Sequence, residues 1–550
     1  MLGTINIKVM GEERTVVNGT TYFDLAKDYQ NNFKYPIVLA KVGNKFKELS
    51  EQAVNNADIV FVDLLNGVAN HVYVDGLILL LTYASKELFG NDSKIAVKYS
   101  IDKGIYMETS FDLTEKKLNS IKNKMLETAD KNIAITRCSV NRDEAIEYFK
   151  RIRDKSKVEL LKYVVNSRIT LYKLGGVYDY FFNYMPATTG DLKHFDLKLL
   201  NNHGFVLLFP VVYTDGIKPY EHHPQLFEVF AEYQKWADIM KIGNVPALNN
   251  VVSNGRADDI IRIDEMLQST RLLKIAHDIV LKKDKIKIIL MAGPSSSGKT
   301  TTCKKLSMYL RSFGLEPREI SMDDYFVDRE KNPKDENGNY DFECLEAINI
   351  KAFDSDVKNL LSGKGVKLPT FNFITGHSEP GTEETVLGKN EVLIIEGIHA
   401  LSDKILSSID RSNKFKIYLS PLTILNIDMH NRISTTDNRL LRRMVRDNRT
   451  RGYNAEDTLK SWQRVRYGEE KHIFPNQDAA DVVFNTALIY ELGVLKTYAE
   501  PLLYSVRDDS PYYELARRLI NMLKTFLPIP SEAIPDDSIL REFVGGSCFK

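Results

Sequence analysis

A glycine-bounded loop suited to phosphate binding lies in the stretch IKIILMAGPSSSGKTTTCKKL, which runs from Ile286 to Leu306. Residues 293–300 satisfy the pattern G-x-x-x-x-G-K-S/T, in which backbone N–H groups turn inward around the phosphates of a nucleotide. The apolar run before the loop predicts a strand, and the residues after it predict a helix whose positive N-terminal end points at the anion. The spacing therefore indicates a nucleotide site.

The loop residues have separate expected roles. Lys299 would reach the β- and γ-phosphates, and Thr300 would offer its hydroxyl to Mg²⁺. The expected ATP-binding residues are Gly293, Pro294, Ser295, Ser296, Ser297, Gly298, Lys299, Thr300 and Thr301. Because kinases, GTPases and motors share such a loop, the residues that follow it must decide the chemistry.

Acidic residues follow two further predicted strands. EPREISMDDYFVDRE predicts extended chain leading through Asp323 and Asp324, where alternation turns only one carboxylate toward the loop as a general base. From the residues alone, simple surface acidity of this pair stays open. EVLIIEGIHA predicts a buried strand that ends at Glu396, where a phosphate-loop enzyme needs an acid for the Mg²⁺ shell.

Arginines recur at helical spacing in the stretch NRLLRRMVRDNRTRGY. Spacings of three and four predict one shared helix face, and two more arginines follow it. The residues on the face are Arg439, Arg442, Arg443 and Arg446, and those beyond it are Arg449 and Arg451. A basic face is often solvated or binds RNA. Beside a nucleotide site, it is better interpreted as a lid that clamps the transferring phosphoryl group.

Two modules precede the phosphate loop. In residues 1–63, alternating strands surround NGTTYFDLAKDY, where Thr21 begins a short helix with Asp24 three residues on. This order and phrase resemble the TGS domain, a β-grasp module at the start of threonyl-tRNA synthetases. The following block, RDEAIEYFK through YDYFFNYMPATTGDLKHFDL, resembles the second N-terminal module of those enzymes, which carries their editing site.

The editing-site positions of that second module are altered here. The synthetases have an H-x-x-x-H pair and a C-x-x-x-H pair, whereas this chain has His71 with Asp75 and Phe181 with Met185. Phenylalanine and a thioether can act neither as a base nor as a strong zinc ligand. We therefore expect the module to be a scaffold or binding surface, and His71 to be a surface or capping histidine.

The chain from Lys283 to about Thr525 resembles the uridine kinase and phosphoribulokinase family. It contains, in the family's order, GPSSSGKTT, ISMDDYF, YDFECLEAI, LPTFNFITGHSE, IIEGIHAL, RRMVRDNRTRG and ADVVFN. The resemblance implies that Asp323 accepts the proton of the substrate hydroxyl, that Glu343 holds the ribose, and that Phe371 and His377 line the base pocket. The implied catalytic residues are Asp323, Lys299, Arg446 and Arg451, the substrate-binding residues are Glu343, Phe371, His377 and Arg443, and the metal ligands are Thr300 and Glu396.

Four positions depart from this family's pattern. Glu343 replaces a shorter aspartate, Phe371 lacks a tyrosine hydroxyl, Gly376 is inserted before His377, and Tyr453 stands where many members have arginine. Each change could move a polar contact by roughly an ångström or more, which is enough to change the acceptor. The reaction is therefore better supported than the acceptor.

The expected architecture is multidomain, with α/β and α+β parts, because 550 residues exceed a single core. A β-grasp TGS module and an α+β synthetase-like module precede a P-loop NTPase domain with a parallel sheet and flanking helices. The expected regions are 1–63 and 64–215 for the two modules, 216–282 for a helical connector, 283–525 for the kinase-like domain and 526–550 for a C-terminal tail.

Composition limits the partners and the compartment. The 74 basic and 74 acidic residues cancel, and residues 1–215 lack a dense basic block with aromatics, which gives a nucleic-acid partner no support. The four cysteines lack C-x-x-C spacing, which favours a reducing cytoplasm. The apolar run Gly76 to Leu81 is far shorter than the ~18 residues that span a bilayer. We expect a homo-oligomer with no membrane partner.

The leading functional hypothesis is a cytoplasmic kinase that uses ATP and Mg²⁺ to phosphorylate the 5′-hydroxyl of a nucleoside, uridine or cytidine. A kinase for another small alcohol, such as a sugar phosphate or a pantothenate-like acceptor, stays open because fold does not define substrate. A hypothesis of another class is an RNA-binding or tRNA-binding regulator that uses ATP as a switch, which the synthetase-like modules suggest.

We predict that the purified protein holds no stoichiometric zinc and does not hydrolyse mischarged tRNA. The physical reason is that Phe181 and Met185 replace the cysteine and histidine that a zinc or editing site needs. Elemental analysis of the purified chain tests this prediction, and a tightly held equivalent of zinc would overturn it.

Overall fold

The computed structural model describes residues 3–212, 216–334, 338, 340–372 and 375–549. The first module is one sheet covered by a helix. Its elements are β1 (Thr4–Val9), β2 (Glu12–Val17), α1 (Tyr22–Tyr29), β3 (Ile37–Val42), β4 (Lys45–Glu48) and β5 (Asp58–Asp63). The strand order is β2-β1-β5-β3-β4, with β1 and β5 parallel, which is the expected β-grasp arrangement. Thr21 caps α1, since its side chain accepts the N–H of Asp24 at 3.2 Å.

The second module combines two antiparallel sheets with four helices. Its elements are α2 (Gly67–Phe89), β6 (Ile95–Ile101), β7 (Gly104–Thr109), α3 (Glu115–Asp130), β8 (Thr136–Asn141), α4 (Arg142–Arg151), α5 (Lys155–Lys162), β9 (Arg168–Leu174), β10 (Val177–Asp179), β11 (Asp196–Leu199) and β12 (Gly204–Leu208). The sheet orders are β11-β12-β7-β6 and β10-β9-β8. The module is α+β, as expected, and its boundary at residue 215 falls outside the described residues.

Helix α2 is longer than the apolar run that sequence reasoning assigned to it. By length and composition it is the one helix among the described residues that could cross a membrane. However, 67% of its most apolar window is buried inside the protein. The packing of Leu77, Leu79 and Leu81 in the core of this module makes α2 a core helix.

The altered editing-site residues lie in this core region. His71 is half-buried in the second turn of α2, so the expectation of a surface or capping histidine was wrong. Burial and the cationic Arg518 lower the pKa of His71 to about 4. Phe181 and Met185 are buried core residues, and the hydrophobic packing of α2 against its neighbours uses both side chains.

Three helices connect these modules to the C-terminal domain: α6 (Pro224–Met240), α7 (Val245–Ser253) and α8 (Ala257–Val280). They pack as structural elements. The Trp236 ring lies 4.1 Å from that of Tyr233, and Nδ1 of His223 lies 3.0 Å from Asp478. Asn244, which caps α7, also forms a backbone bridge to Asn426 of the C-terminal domain.

The C-terminal domain is built on a five-stranded, all-parallel sheet with the order β14-β17-β13-β18-β19. Its elements are β13 (Ile288–Ala292), α9 (Lys299–Ser312), β14 (Glu316–Ser321), α10 (Ile350–Leu361), β15 (Thr370–Asn372), β16 (His377–Glu379), β17 (Glu391–Glu396), β18 (Lys414–Ser420), α11 (Thr435–Arg451), α12 (Ala455–His472), β19 (Val482–Asn485), α13 (Glu491–Tyr504), α14 (Tyr513–Leu523) and α15 (Arg541–Val544). The central strand β13 leads directly into the phosphate loop, as the sequence predicts. Parallel strands place their carboxyl ends, and hence any ligand site, at one edge.

Buried charges join the second module to this domain. Lys157 is fully buried, contacts Asp179, and lies 3.5 Å from Asp428. Nδ1 of His430 lies 2.5 Å from the other oxygen of Asp179, while its Nε2 lies 3.0 Å from the carbonyl of Ile95. Because each charge has an opposite partner, the interface keeps ionised groups away from water without leaving them uncompensated.

We predict that Lys157→Met lowers the free energy of unfolding by about 3–5 kcal/mol, because it leaves buried carboxylates without their cation. Chemical denaturation measures this change. Lys162→Met is the matched control, since Lys162 is 55% exposed and pairs with Glu159 on the same helix. Its expected effect is below about 1 kcal/mol. Equal losses in both variants would contradict the interpretation of the buried network.

Candidate active site

The phosphate loop turns tightly between β13 and α9. Gly298 has a φ of 82°, and Ser296 also has a positive φ, 60°, which is strained for a residue with a side chain. Gly293 needs to be glycine because a Cβ there would lie 2.4 Å from the carbonyl oxygen of Leu419. The hydroxyls of Ser296 and Ser297 are buried and lack hydrogen-bond partners within the described part of the chain. Such unsatisfied donors fit a phosphate-bearing ligand.

Two buried arginines of α11 hold the backbone of this loop. Arg439 donates from Nε to the carbonyl of Ser295 at 2.9 Å and pairs with Glu469. Glu469 also accepts the backbone N–H of Ser295 at 3.0 Å. The side chains of Arg439 and Glu469 are almost fully buried, so their attraction is little screened by water.

The second of these arginines, Arg442, pairs with Glu491. It also donates to the carbonyl of Thr486 at 2.7 Å. The hydroxyl of Thr486 in turn donates to the carbonyl of Ser297 at 2.6 Å. The two buried charge pairs therefore hold the loop backbone in one conformation.

These contacts contradict part of the predicted arginine lid. Arg439 and Arg442 were grouped with Arg443 and Arg446 on one face that clamps phosphate, and that grouping is wrong for the first two. They contact loop backbone and are buried, because the first half of the arginine face lies against the loop. Only the second half of the face remains partly exposed.

The partly exposed arginines of α11 converge on Asp447. Its carboxylate is buried and accepts from Arg446 at 2.7 and 2.9 Å, and it lies 3.5 Å from Arg451. Nε of Arg443 lies 3.2 Å from the other oxygen, and Arg443 also donates to Ser295 Oγ at 2.7 Å. Asp447 thus offsets the mutual repulsion of these cations and gathers them beside the loop.

Asp323 and Asp324 do not lie on extended chain. They occupy a short 3₁₀ turn, Met322–Tyr325, after β14 ends, so the predicted strand alternation was wrong. The turn nevertheless separates the two carboxylates. Asp324 accepts the N–H of Phe371 at 3.3 Å, whereas Oδ1 of Asp323 is buried without a hydrogen-bond partner among the described residues.

Asp323 lies in an electrostatic cluster with the loop lysine. Burial raises the pKa of Asp323, and the positive charges of Lys299, Arg451 and Arg446 oppose that rise. Lys299 itself donates to the carbonyl of Gly293 at 3.2 Å, so it spans the loop. The cluster combines a carboxylate of raised basicity with cations, as proton acceptance beside a phosphoryl group requires.

Glu396 ends β17 beside this cluster. Its Oε1 accepts from the hydroxyl of Ser321 at 3.1 Å, and burial together with the charge of Asp323 raises its pKa to about 7. Thr300 is exposed in the first turn of α9. Among the described residues no group of three or more His, Cys, Asp or Glu side chains could hold a metal unaided. The Thr300 hydroxyl and the Glu396 carboxylate are oxygen donors of the kind that Mg²⁺ takes, one or two from a protein, while phosphate and water complete its shell.

The residues assigned to the acceptor differ in their surroundings. Burial and the nearby charge of Glu469 raise the pKa of Glu343 to about 7, opposed by the charges of Arg443 and Lys299. Phe371 packs against Phe326 with 5.6 Å between ring centroids. His377 is exposed on β16, and Nδ1 lies 3.5 Å from Asp328. Glu343 and Phe371 are brought next to the site, whereas His377 lies on the outer β15–β16 hairpin beside Asp328.

Sequence reasoning missed the residues that support this site. Glu469 and Glu491 have no motif of their own, because each compensates an arginine that is near only in the fold, whereas Asp447 lies among its arginines in the sequence. Glu542, from the C-terminal tail, also reaches the loop helix and accepts from Thr301. The signal for Asp447 was its position among the arginines of RRMVRDNRTRG, whereas the others had none.

Comparison with known proteins agrees with this geometry. Residues 288–489 match the model of the Phosphoribulokinase / Uridine kinase family. The C-terminal part of the chain is thus similar to this family. Uridine-cytidine kinase B of Dictyostelium discoideum is 27% identical over 198 residues, which are 36% of this chain and 73% of that protein. A structure described as a possible uridine kinase from Bacillus stearothermophilus shares 21% identity over 36% of this chain and 89% of its own, with a TM-score of 0.24.

The N-terminal part is homologous to a different class of protein. Threonine–tRNA ligase of Acidovorax sp. is 28% identical over 190 residues, which are 34% of this chain and 30% of the ligase. The chain thus spans under a third of the length of the ligases that it matches. Joined to the kinase-family domain, this homology confirms the predicted fusion of synthetase-like modules with a uridine kinase-like core.

We predict that Asp447→Asn lowers kcat/KM for phosphoryl transfer by about 10²-fold, comparable to the loss of one charge-stabilising group. The amide cannot neutralise the surrounding arginines, which should move apart from the loop. Steady-state kinetics at a temperature where the variant remains folded measures the change. Asp508→Asn, an exposed aspartate of the same domain, should leave kinetics unchanged. An unaltered kcat/KM for Asp447→Asn would show that the arginines need no common anchor.

Proposed function

We propose that this chain is an ATP-dependent kinase that phosphorylates the 5′-hydroxyl of a nucleoside, uridine or cytidine. The observation that carries the proposal is Asp323. Its Oδ1 is buried and has no hydrogen-bond partner in the described part of the chain. The positive charges of Lys299 and of the arginines of α11 act on the same carboxylate. A group of this kind can accept the proton of an attacking hydroxyl.

The chain's own groups divide the work of the reaction. The loop N–H groups and the end of α9 would hold the phosphates of the donor. Lys299, Arg446 and Arg451 would stabilise the negative charge that spreads over the transferring phosphoryl oxygens. Asp323 would take the hydroxyl proton. Mg²⁺ would neutralise charge between the phosphates, and Thr300 and Glu396 would hold it.

Support for a nucleoside acceptor comes from the family match and from the similarity to a uridine-cytidine kinase. Glu343 lies near Arg443 and Lys299, where it could accept from ribose hydroxyls, and Phe371 adds an apolar face. An assay with a panel of nucleosides, sugar phosphates and pantothenate identifies the acceptor. Total tRNA in the same ATP-turnover assay tests the alternative of a tRNA-binding regulator.

We predict that Asp323→Asn keeps ATP binding while kcat falls by about 10²–10⁴, the usual contribution of a positioned base. The wild-type rate should also fall on acidification at higher pH than an ordinary aspartate would give, because burial raises the pKa of Asp323 and only its ionised form accepts a proton. Asp324→Asn should cost much less, since Asp324 accepts a backbone N–H instead.

Steady-state kinetics with saturating ATP compares the two variants. Lys299→Ala removes the side chain that donates to the loop carbonyl of Gly293. This change should abolish phosphoryl transfer with little change in fold. The reverse ranking of Asp323 and Asp324, or retained turnover in Lys299→Ala, would exclude the assigned roles.

A further inference from the structure

The C-terminal tail is part of the nucleotide-site architecture. Ile539, Leu540 and Phe543 are fully buried, and they belong to the main core of the C-terminal domain. Ile539 packs so closely on the loop that a Cβ at Gly298 would lie 2.5 Å from its Cγ2. The segment is therefore anchored against the phosphate loop by apolar contacts along much of its length.

Within this segment, Glu542 turns its side chain toward the first turn of α9. Its Oε2 accepts the backbone N–H of Thr301 at 3.3 Å and the Thr301 hydroxyl at 2.9 Å. Thr301 follows Lys299 and Thr300 directly, so these donors belong to the helix end that faces a bound phosphate. A carboxylate thus occupies donors that the loop sequence assigns to a nucleotide.

We infer that Glu542 sets the affinity of this site for phosphorylated nucleotides by competing with a phosphate group for the donors of Thr301. The inference rests on the proposed function, since it needs a nucleotide to bind at this loop. Two anions cannot share the same donors, because like charges in a partly buried site repel strongly. Nucleotide binding therefore requires the Glu542 carboxylate to leave.

For a phosphate group to replace the Glu542 carboxylate, only the Glu542 side chain has to move, and the tail can stay bound. Arg449 of α11 donates from Nε to the carbonyl of Phe543 at 3.2 Å and from a terminal nitrogen to the carbonyl of Glu542 at 3.0 Å. The guanidinium of Arg442 lies 5.0 Å from the centre of the Phe543 ring. With the backbone held in this way, the half-buried Glu542 side chain can rotate off Thr301 while the surrounding core stays packed.

The negative charge of Glu542 distinguishes competition with a phosphate group from ordinary helix capping. A glutamate near a helix N-terminus stabilises the helix by a small amount in any protein. Here the helix end also carries the phosphate loop, and Glu542 places a negative charge directly on two donors of that helix end. Removing the carboxylate should therefore favour an incoming phosphate by both routes, freeing Thr301 and lowering the negative charge.

Isothermal titration calorimetry of the full chain tests this inference, with ATP, ADP and adenosine as ligands in the presence of Mg²⁺. Glu542→Gln and Glu542→Ala should bind ATP and ADP about tenfold or more tightly than the wild type, the factor expected when a competing charged hydrogen bond is lost. The affinity for adenosine, which has no phosphate, should not change. Glu532→Gln, an exposed glutamate of the same tail, is the control and should match the wild type.

Unchanged or weaker ATP and ADP binding in both Glu542 variants would overturn the inference, and so would an equal gain for adenosine. Thermal unfolding confirms that each variant is folded, and glutamine at 542 keeps the shape of the side chain. Tighter ATP binding without phosphorylation of any nucleoside would leave the inference standing and would refute the proposed function. Absence of ATP binding in the wild type and in both variants would refute both.

Discussion

The site depends on buried charge pairs between α11 and its neighbours. Arg439 with Glu469 and Arg442 with Glu491 bind backbone groups of the phosphate loop, including the carbonyl of Ser295 and, through Glu469, its N–H. The cost of burying these charges is offset only because each arginine also meets backbone oxygens and each glutamate meets further donors.

The same helix also organises the reactive end of the site. Its buried first half supports the loop, and its second half presents cations that Asp447 gathers. Opposite these cations lie Asp323, Glu343 and Glu396, whose pKa values are raised by burial. Burial makes these carboxylates harder to ionise than free ones, while the facing guanidinium groups keep their positive charge at neutral pH.

The synthetase-like modules pack against the C-terminal domain through specific contacts. Asn426 donates to the carbonyl of Val97 at 2.9 Å, and the buried network of Lys157 closes the interface nearby. Arg518 forms a bidentate pair with Asp437 in the first turn of α11 and lies in the electrostatic surroundings of His71. The altered editing region therefore abuts the helix that supports the phosphate loop.

The sequence by itself determined the elements whose signals are local. The phosphate loop, its strand and helix, Glu396 at a strand end, and the Thr21 cap all follow from neighbouring residues, because backbone geometry and hydrogen bonding act over a few positions. Even the wrong assignment of Asp323 to a strand placed it beside the correct loop, since the turn starts where the strand ends.

Tertiary structure alone decided which charges meet. Arg439 and Arg446 share a helical face, yet one supports the loop and the other remains near the surface, because packing covers only part of that face. Glu542 is separated by 241 residues from Thr301, and nothing in either local sequence predicts their contact. Electrostatic partners at such separation are selected by the packing of whole elements, so their identity is a property of the folded chain.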